Sequence, residues 1–276
     1  MAEGCGIGAM PLYTNLDRIE RGLAAAGIGP RDPIPPEKLF ALDQWHYHGT
    51  DAIRAAIEPL GLKPESCVLD IGSGIGGPAR YLAHTVGCHV TALELQSDLN
   101  AIAADLTERT GLADRVTHIC ADALTYPFPD AAFDAVVSLL AILHIPDRPR
   151  LCARLARALR GGGGCYIEDL CIRAPFAPDD LRQVREIVFG ISLSNAQDYA
   201  NDLRTAGVVS VAITDLTSDW APFATERLTA WRANHEAHAR VHGEGAYAAQ
   251  EKFYSVIAHL YETGSLGGIR LLAHVA

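Results

Sequence analysis

The feature that most constrains the fold is a glycine-rich loop between a predicted strand and a predicted helix. Residues 68–77 read Val-Leu-Asp-Ile-Gly-Ser-Gly-Ile-Gly-Gly, and Gly72, Gly74 and Gly77 fit the spacing G-x-G-x-x-G. Glycines at this spacing let the main chain turn tightly and approach a ligand closely, and an acidic residue ending the next strand commonly binds a ribose. Glu94 ends the next predicted strand, 22 residues after Gly72. Together these features predict a nucleotide-type site at one edge of a parallel sheet.

Strands and helices alternate from residue 63 onward, which is typical of a parallel sheet covered by helices. The predicted strands are 66–71, 89–95, 116–121, 133–140, 165–170, 208–215 and a late one at 268–275. The predicted helices are 78–86, 96–110, 147–159, 195–206 and a long helical stretch at 222–263. The four glycines at 161–164 predict a flexible turn before the fifth strand. We therefore expect an α/β core over residues 61–276 with helical insertions at about 171–194 and 218–265, and a helical lid over residues 1–60.

Composition limits the class of protein. The chain has 276 residues, 49% of them hydrophobic, which is enough to form a globular core. The net charge of −10, from 33 acidic against 23 basic residues, disfavours a nucleic-acid backbone as partner. Seven cysteines without a CxxC pair indicate free thiols in a reducing compartment. No leader-like start or apolar run of membrane-spanning length is visible, so we expect a cytoplasmic protein that acts on a small molecule and has no membrane partner.

Asp70 distinguishes between two classes of ligand for the glycine-rich loop. It stands two residues before Gly72, so its carboxylate is expected to point toward whatever the loop binds. A dinucleotide would bring an anionic pyrophosphate close to this carboxylate, which is unfavourable. S-adenosylmethionine carries an ammonium and a sulfonium and has no phosphate. Asp70 therefore favours S-adenosylmethionine over a nicotinamide dinucleotide, although Asp122, after the third strand, could also be an ordinary turn residue.

The ordered motifs of the core resemble those of the class I S-adenosylmethionine-dependent methyltransferases. The resemblance rests on residues 69–77, Glu94, Asp122, the Phe-Asp pair at 133–134 and the Leu-Arg-Gly-Gly run at 159–162. It implies a Rossmann-like seven-stranded sheet whose last strand is antiparallel, which accounts for the late strand. It also implies that Gly72 and Gly74 lie under the methionine part of the cofactor and that Glu94 binds the ribose. The residues implied to frame the adenine are Leu95, Asp122 and Ala123, and Leu139 is also expected to bind the cofactor.

A longer resemblance is to the phosphoethanolamine and sarcosine/dimethylglycine N-methyltransferases. It rests on Asp-Gln-Trp-His at 43–46, Ala-Ile-Leu-His at 141–144 and the run at 215–220. It implies that His144 pairs with an N-terminal tyrosine, for which Tyr13 is the candidate. The sequence departs from the phosphobase enzymes at two positions, with Leu140 where they have an aspartate and Leu170 where they have a tyrosine. A small amine is the expected acceptor, with a hydroxyl or carbon acceptor as the alternative.

Two side-chain clusters leave alternatives open. His144 could take a proton from the acceptor with an imidazole of near-neutral pKa, or it could cap the following turn. Trp45 and His46 could close over the cofactor, with the rings of residues 45–48 facing a cation, or could tie the N-terminal helices to the core. His46 and His48 form a His-x-His pair, but no further ligands stand at metal-binding spacing from them, so no metal is expected. A nicotinamide-dependent oxidoreductase and a non-catalytic cofactor-binding protein remain the rival hypotheses, and the oligomeric state is not predicted.

Overall fold

The computed structural model describes residues 16–276, and a seven-stranded sheet forms its centre. The strands are β1 (Cys67–Ile71), β2 (His89–Glu94), β3 (Val116–Cys120), β4 (Phe133–Leu139), β5 (Leu159–Ile172), β6 (Ser210–Asp215) and β7 (Leu266–His274). Their order is β3-β2-β1-β4-β5-β7-β6. The five strands from β3 to β5 pair in parallel, and β7 is antiparallel to both β5 and β6. The predicted fold, a Rossmann-like sheet with an antiparallel last strand, is confirmed.

Helices cover both faces of the sheet and one of its edges. They are α1 (Asp17–Ala25), α2 (Pro36–Leu39), α3 (Thr50–Ile57), α4 (Gly77–Thr85), α5 (Ser97–Arg109), α6 (Arg148–Ala158), α7 (Pro178–Gln183), α8 (Ala196–Thr205), α9 (Thr217–Ala233), α10 (His235–His242) and α11 (Glu244–Glu262). A 3-10 turn at Ile142–His144 follows β4, and a π-helical turn at Val184–Val188 continues α7. None of the helices between residues 16 and 276 is both long and apolar enough to cross a bilayer.

The alternation of side chains along β1 explains why the sheet has a core on each face. Val68 is completely buried in one apolar cluster, together with Ile53 of α3 and Leu82 of α4. Leu69, the next residue, is buried in a separate cluster with Leu155 of α6. Successive residues of a strand point to opposite faces, so a continuous apolar run is what a strand covered on both sides requires.

Two predicted boundaries were wrong. Strand β5 begins at Leu159, because the glycine run is part of the strand and not a turn before it. Gly162 adopts a φ of 77° and donates to the carbonyl of Ala276, while the pairing register shifts between Phe133 and Ala135. The long helical stretch is three helices, of which α9 begins at Thr217 and contains Pro222 in its interior. The left-handed Gly243 separates α10 from α11.

Candidate active site

The glycine-rich loop follows β1 at the carboxyl edge of the sheet. The amide of Gly72 donates to the carbonyl of Leu93 at 2.9 Å, which ties the loop to β2. Gly72 and Gly74 have φ values of 69° and 53°, a region in which residues with a side chain are strained. A Cβ at Gly72 would lie 2.2 Å from the Cβ of Ala141, whereas a Cβ at Gly74 would meet no atom within 4 Å. The loop is therefore packed on one side and leaves open space beside the main chain at Gly74.

Two carboxylates lie at the ends of the strands beside this loop. Asp70 is 2% exposed, and its Oδ2 is buried without a hydrogen-bond partner. Burial and, to a lesser degree, the charge of Glu94 raise the pKa of Asp70 to about 7. Glu94 accepts hydrogen bonds from the amides of Gly74 and Gln96, both at 2.9 Å, and burial raises its pKa. The end of the loop is thus an anionic region that a cationic ligand would stabilise.

A first cavity of about 140 Å³ opens beside the loop. It brings together nearly all the predicted site residues: Trp45, His46, Gly72, Gly74, Glu94, Leu95, Asp122, Ala123, Leu139 and His144. Leu95 is 54% exposed, an unusual state for a large apolar side chain, and its exposed surface faces this cavity. Asp70 does not line the cavity, because its carboxylate is buried at the end of β1. Tyr13 lies outside the described residues.

A roof segment, which we define as residues 43–49, closes over the cavity from the N-terminal side. Asp43 forms an ion pair with Arg80 of α4 at 3.0 Å, and neither side chain is exposed. Arg80 also donates to the carbonyl of Ile75 in the glycine-rich loop, at 2.5 Å. The carbonyl of Asp43 occupies the space beside Gly77, where a Cβ would lie only 2.3 Å from its oxygen. The third glycine of the loop therefore allows the roof segment to pack directly against the start of α4.

Sequence reasoning missed Arg80. Its signal was present, since it is a single arginine among apolar residues on a helix that begins at the loop. A buried guanidinium requires several partners, and Arg80 has two more, the carbonyl of Ala103 and the hydroxyl of Thr107 at 3.1 and 3.0 Å. The residues that satisfy it come from distant parts of the chain. Nothing in their local spacing identifies them.

His144 ends the 3-10 turn after β4 and lies between two cavities. Its Nδ1 is 2.9 Å from the carbonyl oxygen of Phe189, the residue after the π-helical turn, so Nδ1 carries the proton and Nε2 the lone pair. Burial lowers the pKa of His144 to about 4. The expected near-neutral pKa is therefore wrong, because desolvation outweighs the hydrogen bond to Phe189. The side chain fixes the loop after β4 against the π-helical turn and does not cap the turn that follows it.

A second cavity of about 300 Å³ adjoins the first one. Trp45, His46, Leu140 and His144 line both cavities. The second cavity is lined by residues from α1, from the roof segment, from the loop after β4, from the end of β5 and the π-helical turn, and from α9 and α11. Its other lining residues are Arg18, Gln44, Tyr47, Gly49, Leu143, Leu170, Val188, Phe223, Ala224, Arg227, Phe253, Tyr254 and Ile257. A small molecule in this space would reach the first cavity at the four shared residues.

Backbone strain is concentrated around these cavities. Leu140, which lines both of them, has a φ of 56°, and its amide donates to the carbonyl of Glu168. His48 in the roof segment and Phe189 beside His144 also have positive φ values, of 56° and 55°. Side chains in this region typically cost about 1–3 kcal/mol each and persist where the surroundings hold them in place. Leu140 is therefore held at the junction of the cavities by the strand end and not by its own preference.

Comparison with known proteins gives the family. Residues 69–167 match the family model described as a methyltransferase domain. These residues contain the glycine-rich loop and strands β2 to β4, and they lie within the seven-stranded sheet with its antiparallel last strand. The chain therefore contains a domain of the methyltransferase family.

The chain is similar to curated enzymes from plants and bacteria. It is 34% identical over 186 residues, 67% of its own length, to phosphoethanolamine N-methyltransferase 1 of Arabidopsis thaliana, of which the match covers 37%. It is 32% identical to the sarcosine/dimethylglycine N-methyltransferase of Halorhodospira halochloris, over 60% of this chain and 62% of that enzyme. The chain spans about two fifths of the length of the plant enzymes that it matches.

One solved structure superposes on most of the length of this chain. Haemonchus contortus phosphoethanolamine N-methyltransferase 2, in complex with phosphomonomethylethanolamine and S-adenosylhomocysteine, superposes with a TM-score of 0.79. The superposition covers 93% of this chain and 60% of that one, at 22% sequence identity. At this level of identity the likeness establishes a common fold.

Proposed function

We propose that this chain transfers a methyl group from S-adenosylmethionine to a small molecule, with an amine nitrogen as the attacking atom. The observation that carries the proposal is the pair of adjoining cavities. One lies beside a glycine-rich loop with two buried carboxylates, and the other is a larger cavity that meets it at Leu140 and His144. The names of the similar enzymes, which act on phosphoethanolamine, sarcosine and dimethylglycine, favour an amine. A hydroxyl or carbon acceptor is the alternative.

The residues of the first cavity suit the chemical groups of S-adenosylmethionine. The unpartnered Oδ2 of Asp70 supplies negative charge near the loop, where the methionine part carries an ammonium. Glu94 keeps further lone pairs for ribose hydroxyls, because each of its oxygens accepts one main-chain hydrogen bond. Leu95 and Leu139 present apolar surface to the adenine, and residues 121–123 supply its polar edge. A dinucleotide suits the cavity less well, since its pyrophosphate would lie close to both carboxylates.

His144 acts in this proposal by orienting the acceptor. S-adenosylmethionine supplies a methyl group that is already activated on a sulfonium, so the protein mainly aligns the acceptor and excludes water. With its Nδ1–H held by Phe189, the imidazole offers the Nε2 lone pair to an N–H or O–H of the acceptor. A pKa of about 4 makes His144 a weak base, so it accepts a hydrogen bond more readily than it takes up a proton.

We also propose a division of the chain into a lid and a cofactor-binding core, and a cellular location. The predicted lid covers residues 1–60 and the helical segments at about 171–194 and 218–265. Of these, the described residues from 16 onward form a lid over the carboxyl edge of the core, and the core binds the cofactor. The roof segment supports this division because it contributes to both cavities. The six cysteines of the described region are all free, which supports a reducing compartment such as the cytoplasm.

Calorimetric titration tests the proposal directly. The protein should bind S-adenosylmethionine and S-adenosylhomocysteine and should bind NADH far more weakly or not at all. Transfer of a labelled methyl group to a panel of amines, hydroxylated metabolites and carbon acids then identifies the acceptor atom. Tighter binding of NADH than of S-adenosylhomocysteine would contradict the proposal. Binding of the cofactor without transfer to any compound in the panel would favour the non-catalytic alternative.

A further inference from the structure

Among residues 16–276, the aspartate, glutamate, lysine and arginine side chains that line the second cavity are all arginines. Among the described residues that line it, the basic side chains are Arg18 and Arg227, and there is no aspartate or glutamate. An ammonium group that enters such a cavity loses its hydration, meets no carboxylate among the described lining residues, and is also repelled by the guanidinium of Arg227. An anionic group would gain a partner there. The charge of the cavity therefore selects against one class of acceptor and in favour of another.

Arg227 is placed to bind an anion. One of its terminal nitrogens, Nη2, is buried and has no hydrogen-bond partner, although the side chain borders the cavity. The guanidinium is held by ring contacts instead, with its central carbon 4.8 Å from the ring centre of Tyr47 and 4.7 Å from that of Phe223. A buried guanidinium N–H without an acceptor is costly, and a carboxylate or other oxyanion is the group that satisfies it best.

Two of the aromatic rings of this cavity, those of Tyr47 and Trp45, already contact guanidinium groups of the protein. The ring of Tyr47 is stacked on Trp220, with their centres 4.3 Å apart and their planes 2° from parallel, and it also contacts Arg227. The ring of Trp45 lies under the guanidinium of Arg18, at 4.2 Å. These rings bind cations of the protein itself, so they are not an empty cage for a quaternary ammonium.

Much of the rest of the lining is apolar, beside the polar side chains of Gln44, His46 and His144, and it includes both positions at which the sequence departs from the phosphobase enzymes. Leu140 and Leu170 border the second cavity with Leu143, Val188 and Ile257. The volume of about 300 Å³ is at the lower end of the range for small-molecule sites. A ligand that fills this space gains most by presenting hydrocarbon or aromatic surface to these side chains.

We infer that the acceptor is a carbon-rich molecule with a negatively charged oxygen group that pairs with Arg227, and that its attacking atom is uncharged when it enters. This inference rests on the proposed methyl transfer and specifies the acceptor. An amine that meets it is weakly basic and neutral at pH 7, carried on an apolar skeleton. Phosphoethanolamine and dimethylglycine do not meet it, because each is a small polar molecule with a protonated amine at this pH.

Three probes with the same carbon count and nearly the same size test the inference: 4-phenylbutanoate, 4-phenylbutan-1-ol and 4-phenylbutylammonium. Each is titrated calorimetrically at pH 7 into the protein saturated with S-adenosylhomocysteine, beside dimethylglycine. The carboxylate should bind about tenfold or more tightly than the ammonium, with the alcohol between them. Equal or tighter binding of the ammonium or of dimethylglycine overturns the inference. Failure of S-adenosylhomocysteine itself to bind overturns the proposed function, which separates the two outcomes.

Variants of Arg227 assign the preference to one side chain. Arg227→Gln should weaken binding of 4-phenylbutanoate by about 10- to 100-fold while leaving the alcohol within about threefold of its original affinity. Arg227→Lys keeps the charge and should retain part of the preference for the carboxylate. The matched control is Arg232→Gln on the same helix, since Arg232 is exposed and pairs with Glu251 at 2.7 Å. A preference that persists in Arg227→Gln overturns the inference, and so does a loss of S-adenosylhomocysteine affinity in a folded Arg227→Gln, which would assign Arg227 to the cofactor.

Discussion

The ion pair between Asp43 and Arg80 should be the most sensitive polar contact in the site. Both side chains are fully buried, and together they join the roof segment to α4 and to the glycine-rich loop. Asp43→Asn keeps the size of the side chain and removes its charge. The guanidinium of Arg80 would then remain buried without a counter-ion, because its other partners are the carbonyls of Ile75 and Ala103 and the hydroxyl of Thr107.

The expected magnitude follows from burial. Removal of one partner of a buried ion pair typically costs about 3–5 kcal/mol, since the remaining charge stays desolvated. The carbonyl partners of Arg80 retain part of the stabilisation, so we expect a loss of about 3 kcal/mol in the free energy of unfolding. The control is Asp130→Asn, whose partner Arg157 lies at 2.7 Å while both side chains are about two-thirds exposed. An exposed pair of this kind contributes about 0–1 kcal/mol.

Urea unfolding followed by circular dichroism measures both variants at pH 7. A double variant, Asp43→Leu with Arg80→Met, separates the buried charge from the lost contact. It should be more stable than Asp43→Asn alone, because it leaves no uncompensated charge in the core. The reasoning is refuted if Asp43→Asn costs no more than Asp130→Asn, or if the double variant is the least stable of the three.

Three further predictions concern the cofactor and the chemistry. Glu94→Ala should weaken S-adenosylhomocysteine binding by about 1.5–3 kcal/mol in calorimetric titration, and unchanged affinity would remove Glu94 from the ribose site. The pKa of Asp70 is raised to about 7, so its carboxylate becomes neutral as the pH falls from 7.5 to 5.5. The affinity for the cofactor should therefore fall over this pH range in the wild type and stay level in Asp70→Asn. For the same reason Asp70→Asn should stabilise the ligand-free protein at pH 8 in thermal unfolding, because an ionised buried carboxylate is costly there. His144→Ala should lower kcat by about 10²-fold with cofactor affinity unchanged. Because the pKa of His144 is about 4, the wild-type rate should show no fall near pH 6.5 that depends on His144. A kcat of the variant close to that of the wild type would make the side chain structural.

Features that depend on local spacing were predictable from the sequence. The glycines at 72 and 74 require positive φ angles in a tight turn, and Glu94 follows from the length of one strand–helix–strand unit. The alternation of strands and helices predicted the parallel sheet, and the family resemblance predicted the antiparallel orientation of the last strand. Each of these inferences needs only residues that are near each other in the chain.

Features that depend on tertiary contacts were not predictable in this way. Asp43 and Arg80 are 37 residues apart, and Tyr47 and Arg227 are farther apart still, so no periodic pattern connects them. The prediction of a near-neutral pKa for His144 was wrong for a related reason. The sequence identifies an imidazole after β4, but only packing against Phe189 reveals its burial and its fixed Nδ1–H. Burial of a polar side chain is a property of the assembled fold.

The roof segment links the two halves of the site physically. Asp43 anchors one end of it to Arg80 beside the glycine-rich loop, and Tyr47 anchors the other end to Trp220 of α9. Between these anchors, Trp45 and His46 border both cavities. A ligand in either cavity therefore contacts the same short stretch of chain. Once the first ligand has ordered this stretch, the second ligand binds without having to contribute that free energy again. Because such coupling is reciprocal, a cofactor that strengthens acceptor binding must itself be bound more tightly by the same factor when the acceptor is present.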